Sequence, residues 1–228
     1  MSLYLWINIF TFCTILLSFD KKVAFYKYFP FLAVGIIING ILFIPWDSIF
    51  TGLGIWGFNP DYLIGTSFFS LPIEEWLFFI TVPFSCVFIH YVLLAYFNNP
   101  IPANFSSTFW NILSFSILVI GIIFHQQTYT FITFIITAPV LFLLNKFQKS
   151  FMAQFTFTYA ISFIPFLIIN SILTGSFTDE PVVWYNNNEN FGIRIGTIPV
   201  EDTIYNLLLL VTPTFITHYL HLKFKAKA

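Results

Sequence analysis

The chain has 228 residues, of which 58% are hydrophobic, 22% aromatic and only 8% charged, with a formal net charge of -1. Soluble domains carry roughly 25% charged residues, so most of the polar surface a water-soluble globule needs is absent. That excludes a soluble enzyme, a disordered tail and a nucleic-acid binder, which would need a basic patch, and it defines an all-α polytopic membrane protein.

A membrane-crossing helix needs about 20 mostly apolar residues. In chain order, seven such runs are predicted, at 2–19, 31–46, 73–97, 107–124, 128–145, 151–174 and 199–220. The first has no basic lead-in and no small-residue cleavage site, so it reads as a span rather than a cleaved signal. The second is short and carries Gly35, Asn39 and Gly40; the fourth and fifth meet at a tight turn near His125. Cys13 and Cys86 both lie in apolar runs, so neither a disulfide framework nor a cysteine-based metal site is expected.

Seven spans sort the connections onto two sides. Every lysine falls on one side, whereas nine of the ten acids and Arg194 fall on the other. The positive-inside rule then puts the C-terminus in the cytoplasm and the N-terminus outside.

Two stretches repeat one pattern. The first runs Trp56, Phe58-Asn59-Pro60, Gly65, Pro72-Ile73-Glu74-Glu75, Pro83 and His90-Tyr91. The second runs Trp184-Tyr185-Asn186, Gly192, Gly196, Pro199-Val200-Glu201-Asp202, Pro213 and His218-Tyr219. Asn39 and Asn170 stand upstream on comparable helices. The organisation is therefore two three-helix repeats, 1–99 and 128–228, around a spacer helix at 100–127. An odd number of spacer helices keeps the copies parallel, which would bring both acid pairs to one depth at the outer interface. Many transporters use inverted repeats instead.

Pro followed by two acids is ordinary helix-start grammar. The acids recur as a pair, however, and stand where an apolar span begins, where ionisable groups are costly and tend to be functional. Desolvation disfavours a charged carboxylate, and a second carboxyl alongside adds to the effect. Such a pair can hold a proton donor beside an acceptor at neutral pH. Phe78 follows Glu74, and Tyr205 follows Glu201, by four residues, so an aromatic π face that can stabilise a cation shares the acid's helix face. Acid, base and aromatic rings suit proton-initiated carbocation chemistry on an alkene.

The run Gly54-Ile55-Trp56-Gly57-Phe58-Asn59-Pro60 to Leu71-Pro72-Ile73-Glu74-Glu75-Trp76-Leu77-Phe78-Phe79 resembles the first half of the small membrane lycopene cyclases, and Trp184 to Tyr205 resembles their second half. The chain is similar to their fused form. The resemblance implies an intramolecular lyase or isomerase that closes the ψ ends of lycopene to β-ionone rings in a prokaryotic cell membrane. It implies a carotenoid and the lipid bilayer as partners. Glu74, Glu75, Glu201 and Asp202 would be catalytic, with Glu75 and Glu201 favoured as indispensable. Trp56, Phe78, Phe79, Trp184, Tyr205, Asn39 and Asn170 are candidates for the substrate pocket. The two tryptophans could equally anchor at the headgroups, and the two asparagines could bond neighbouring helices. Arg194 either pairs with an acid or is exposed. His90 and His218 belong near the other ends of their helices.

No dinucleotide motif and no plausible strand is present, so no cofactor is expected. A retinal photoreceptor would need a lysine within a helix, and every lysine here reads as loop or tail. An ε- or γ-ring cyclase, a carotenoid hydratase and a proton-coupled transporter remain as alternatives.

Overall fold

The computed structural model describes residues 2–98 and 101–225. The expected boundary at 99/100 and Lys227 lie outside the described residues. Among the described residues, eight α-helices follow one another: α1 (Leu3–Phe12), α2 (Thr14–Leu17), α3 (Phe29–Gly52), α4 (Ile73–Tyr96), α5 (Ala103–Ile123), α6 (Thr128–Phe147), α7 (Lys149–Leu173) and α8 (Val200–Lys225). Six of these are long and apolar enough to cross a membrane. The predicted span 2–19 is instead the shorter apolar stretch Leu3–Leu17, broken at Cys13, whose N–H is shared between the carbonyls of Ile9 and Phe10. At 1.5 Å per residue it reaches about 22 Å, against a hydrocarbon core of about 30 Å.

The predicted second span, 31–46, is too short. α3 runs to Gly52 with Pro45 inside it, because its buried stripe of Leu32, Gly35, Asn39, Phe43, Asp47 and Phe50 keeps helical spacing straight through the proline. Asp47 is thereby helical and buried rather than part of a loop. Four lysines are also helical: Lys146, Lys223 and Lys225 occupy last turns and Lys149 opens α7. All four are at helix ends, where cations complement the dipole or reach the headgroups.

Six strands of two or three residues, which the sequence did not suggest, form between the long helices: β1 (Trp56–Phe58), β2 (Ser67–Phe68), β3 (Leu71–Pro72), β4 (Val183–Tyr185), β5 (Arg194–Ile195) and β6 (Ile198–Pro199). β2 and β3 pair Ser67 with Pro72 and Phe68 with Leu71; β5 and β6 pair Arg194 with Pro199 and Ile195 with Ile198. Each is a two-residue hairpin set immediately before an acid pair.

The described chain forms two compact units. Among the described residues, the first comprises 2–53, 58–97 and 209–225, the second 54–57, 98 and 101–208. In the first, α1 and α3 lie against α4. Between helices in lipid there is little hydrophobic drive, so polar bonds and small residues do the joining. Asn8 donates to the Glu74 carbonyl (3.0 Å), Thr81 donates to Asn8 Oδ1 (2.7 Å), and Ser85 donates to the Thr11 carbonyl (3.0 Å). Gly35 lets α3 approach the last part of α8: a Cβ there would stand 3.0 Å from the Pro213 carbonyl oxygen. Beyond α2, Asp20 Oδ1 accepts the N–H groups of Val23 and Lys22, both at 3.0 Å, which hold its carboxyl below the usual range.

In the second unit, α5 lies against α6 and α7. Trp110 donates to Thr156 Oγ1 (2.8 Å) and Asn145 to Asn111 Oδ1 (2.8 Å).

Candidate active site: two carboxyl pairs

In the first unit the β2–β3 hairpin delivers the chain to α4. Pro72 is the N-cap, with an extended backbone, rather than the first helical residue, so Glu74 and Glu75 fall at the second and third helical positions. Both are buried. Glu74 Oε1 accepts the Ser2 hydroxyl and the Ile64 N–H, each at 2.7 Å. Its Oε2 is buried with no hydrogen-bond partner among the described residues. The Tyr4 hydroxyl donates to Glu75 Oε2. Ser2 is also the N-cap of α1, accepting the Leu5 N–H at 3.0 Å.

The second unit repeats this arrangement. The β5–β6 hairpin leads into α8, where Glu201 and Asp202 occupy the first turn, both buried. Glu201 Oε1 accepts the Thr130 hydroxyl (2.6 Å) and the Phe191 N–H (2.7 Å), and its Oε2 is buried with no hydrogen-bond partner among the described residues. Asp202 differs from Glu75 in its donors. Oδ1 accepts the Tyr129 hydroxyl (2.6 Å), and Oδ2 accepts the Tyr185 hydroxyl (2.9 Å) and the Asn170 amide (2.7 Å).

Local sequence explains how the backbone donors arrive. Ile64 and Phe191 each stand ten residues before their glutamate and directly before a glycine with positive φ, Gly65 at 91° and Gly192 at 69°. A left-handed residue there turns the chain sharply just after the donor, and glycine adopts it at no steric cost. Asn190 Oδ1 accepts the Gly192 N–H at 2.7 Å and steadies the turn. Glu189 caps α6, its carbonyl accepting the Tyr129 N–H (2.8 Å) and its Oε2 the Thr128 N–H (3.2 Å), which sets Tyr129 and Thr130 in place.

Aromatic rings surround Asp202. Trp56 is buried and lies edge-on to Tyr129 (5.0 Å between centroids), Tyr205 (5.9 Å) and Tyr185 (6.2 Å); Tyr129 and Tyr185 stack at 5.9 Å. The expected pairing of acid and ring takes an indirect form. Phe78 meets Tyr4 (6.0 Å) and Tyr205 meets Tyr129 (6.4 Å), so in each unit the ring one turn on packs against the tyrosine that binds the second acid.

The other sequence candidates separate. Asn170 reaches Asp202, whereas Asn39 is fully buried with neither side-chain polar atom hydrogen-bonded among the described residues. Asn170 is three residues from the end of α7 and Asn39 is thirteen from the end of α3, so they occupy different depths on their helices. Phe79 is buried against Phe43 (6.2 Å). Trp184 is 43% exposed, and its ring covers Gly57, where a Cβ would collide with it. Arg194 donates to the Thr197 carbonyl (2.6 Å) and Asn187 Oδ1 (2.8 Å) rather than to a carboxylate. His90 and His218 face each other at 6.0 Å in the first unit. Sequence reading missed Ser2, Tyr4, Tyr129, Thr130 and Tyr185. The available signal was a hydroxyl pair opening the first helix of each repeat, Ser2/Tyr4 and Tyr129/Thr130.

Fold and site together define a polytopic all-α membrane protein in which a hairpin, a proline and two buried acids occur twice. A family model described as lycopene cyclase matches residues 1–93 and again 126–220. The chain belongs to the lycopene cyclase family, and carries its domain twice. Over 67 residues it is 36% identical to a bifunctional lycopene cyclase/phytoene synthase of Podospora anserina, a stretch that is 28% of this chain and 11% of that protein. The chain thus aligns with a small part of that relative's length. No solved structure matches it.

Proposed function

We propose that the protein is a lycopene β-cyclase, converting the ψ ends of lycopene to β-ionone rings by acid catalysis, by way of a one-ring intermediate. One observation carries the reading: Glu74 and Glu201 each have one oxygen held by a hydroxyl and a backbone N–H, and the other buried with no hydrogen-bond partner among the described residues. An oxygen without a donor is the one on which a proton can sit, and the fixed opposite oxygen aims it. Family membership supplies the substrate class.

In this reading the carboxylic acid protonates the terminal double bond of a ψ end, leaving a tertiary cation. The π electrons of an internal double bond attack it and close a six-membered ring, moving the positive charge onto a ring carbon. A carboxylate then removes a ring proton, and that C–H pair becomes the β double bond. One proton enters and one leaves, so substrate and product are isomers and the step consumes no reducing equivalent. Asp202, whose two oxygens accept three donated hydrogen bonds, suits the base. Trp56 and Tyr205 present π faces to the developing cation and exclude water, which would trap it as an alcohol.

The chain sits in this reading as an integral protein of a prokaryotic cell membrane, with its lysines cytoplasmic and its N-terminus outside; the bonds from Ser2 to Glu74 and from Tyr96 to Asp20, at the two ends of α4, support a first stretch that crosses beside it despite its shorter helix. Expression in a lycopene-producing bacterium, followed by extraction and separation of the pigments, tests the function. β-Carotene is the expected product; ε rings, a hydroxylated end group or unchanged lycopene would each overturn it.

A further inference from the structure

We infer that Tyr129, Tyr185 and Asn170 are positioning residues that determine ring type, by fixing the Asp202 carboxylate so that it reaches one hydrogen of the ring cation and not its neighbours. The inference rests on the cyclase reading above. Ring closure leaves the positive charge on a ring carbon that bears a methyl group. Three neighbouring carbons carry hydrogen: the ring methine that bears the polyene, a ring methylene and the methyl itself. Each can give its proton to a carboxylate oxygen while the C–H pair becomes the new double bond. Loss from the methine gives the conjugated β ring, from the methylene the ε ring, and from the methyl the exocyclic γ ring. The hydrogens on these three carbons are close together, so a base that swings reaches all of them.

Asp202 is built not to swing. Its donors come from three separate elements, Tyr129 on α6, Tyr185 on β4 and Asn170 on α7, and together they occupy both carboxylate oxygens at 2.6 to 2.9 Å. Aspartate is also one rotatable bond shorter than glutamate, so less freedom remains to be fixed. Glu75, at the matching place in the first unit, is the longer acid, and Tyr4 is the side chain that donates to it. Two of the three Asp202 donors are themselves rings of the aromatic wall, stacked at an interplanar angle of 16°. The wall that would hold the cationic ring and the bonds that hold the base are therefore the same side chains. Displacing one moves base and ring relative to each other.

The test places Tyr129→Phe, Tyr185→Phe and Asn170→Ala separately in the lycopene-producing host. It measures protein in the membrane, total cyclised ends, and the ratio of β to ε and γ ends. Each variant removes one hydrogen bond to a charged group, and the ratio is expected to fall about tenfold while cyclisation continues. A purely structural role would lower total product and leave the ratio alone. The inference is overturned if all three variants keep the parent's ratio, or if all three accumulate in the membrane yet make no ring. A parent chain that makes no ring refutes the cyclase reading itself; rings that stay β throughout the series refute only the selection of the proton.

Discussion

Glu75, in the first unit, is bonded by the Tyr4 hydroxyl; Asp202, at the matching place in the second, is held by Tyr129, Tyr185 and Asn170. Beside them, Glu74 and Glu201 are the same to within a tenth of an ångström: one hydroxyl, one backbone N–H ten residues upstream, and one unpartnered oxygen. The first acid of each pair has kept its surroundings through the duplication, and the second has not. In the proposed mechanism the acid whose surroundings are kept twice is given the same task twice, and the acid whose surroundings have diverged a task of its own. This is the physical basis for giving proton donation to Glu74 and Glu201 and the selective deprotonation to Asp202. The proposed mechanism pairs Glu74 with Glu201; the sequence favours Glu75 and Glu201 as indispensable, and spacing does not rank the members of a pair.

Replacing the diverged acids separates the units most sharply. Asp202→Asn keeps the shape and removes the base, and a general base contributes about 10²- to 10⁴-fold; cyclised ends per unit of membrane protein should fall by that factor. Glu75→Gln should fall by less, and an equal loss in both variants would abolish the distinction. The next effect is on stability. Gly57 lies under the Trp184 ring, at the position of the first repeat that aligns with Trp184 in the second when the two Pro-x-acid-acid motifs are superposed. Gly57→Ala forces the ring aside, and overpacking of this kind costs about 1–3 kcal/mol. Thermal unfolding in detergent should show it, and Gly57→Ala with Trp184→Ala should recover most of the loss. The smallest effect belongs to the first unit's polar ladder. Thr81→Val removes one interhelical bond to Asn8, for which about 0.6–2 kcal/mol is typical, and should lower the unfolding temperature slightly while leaving the pigment profile unchanged.

Much of this was legible in the chain. The last five spans have helical apolar runs ended by polar or charged residues, and α4 to α8 follow them closely. The acid pairs, their prolines and the paired glycines at 65 and 192 stood out because a sequence with so few charges repeats them. What was not legible depends on distance along the chain or on context. Four of the five hydroxyls that bind the acids, those of Ser2, Tyr4, Tyr129 and Thr130, are 71 to 73 residues away from them, and the fifth, Tyr185, is 17 away, so no local pattern links hydroxyl to acid. α3 runs on past Trp46 because its buried stripe continues through Asp47 to Phe50, where an acid after an apolar run reads as the end of a span. The β2–β3 hairpin turns on Phe69 and Ser70, both with positive φ, where the usual signal would be Asn-Gly. The resemblance of Asn39 to Asn170 misled for the opposite reason: the two residues match in type, while their helices end at different distances beyond them.

Whether the unpartnered oxygens of Glu74 and Glu201 carry the proton that starts ring closure is decided by the double variant Glu74→Gln/Glu201→Gln in the lycopene-producing host. Glutamine keeps the hydrogen-bond acceptor for the hydroxyl and the backbone N–H but carries no acidic proton. The expected protein accumulates in the membrane at the parent's level and leaves lycopene uncyclised. β-Carotene at the parent's yield from that variant would contradict it.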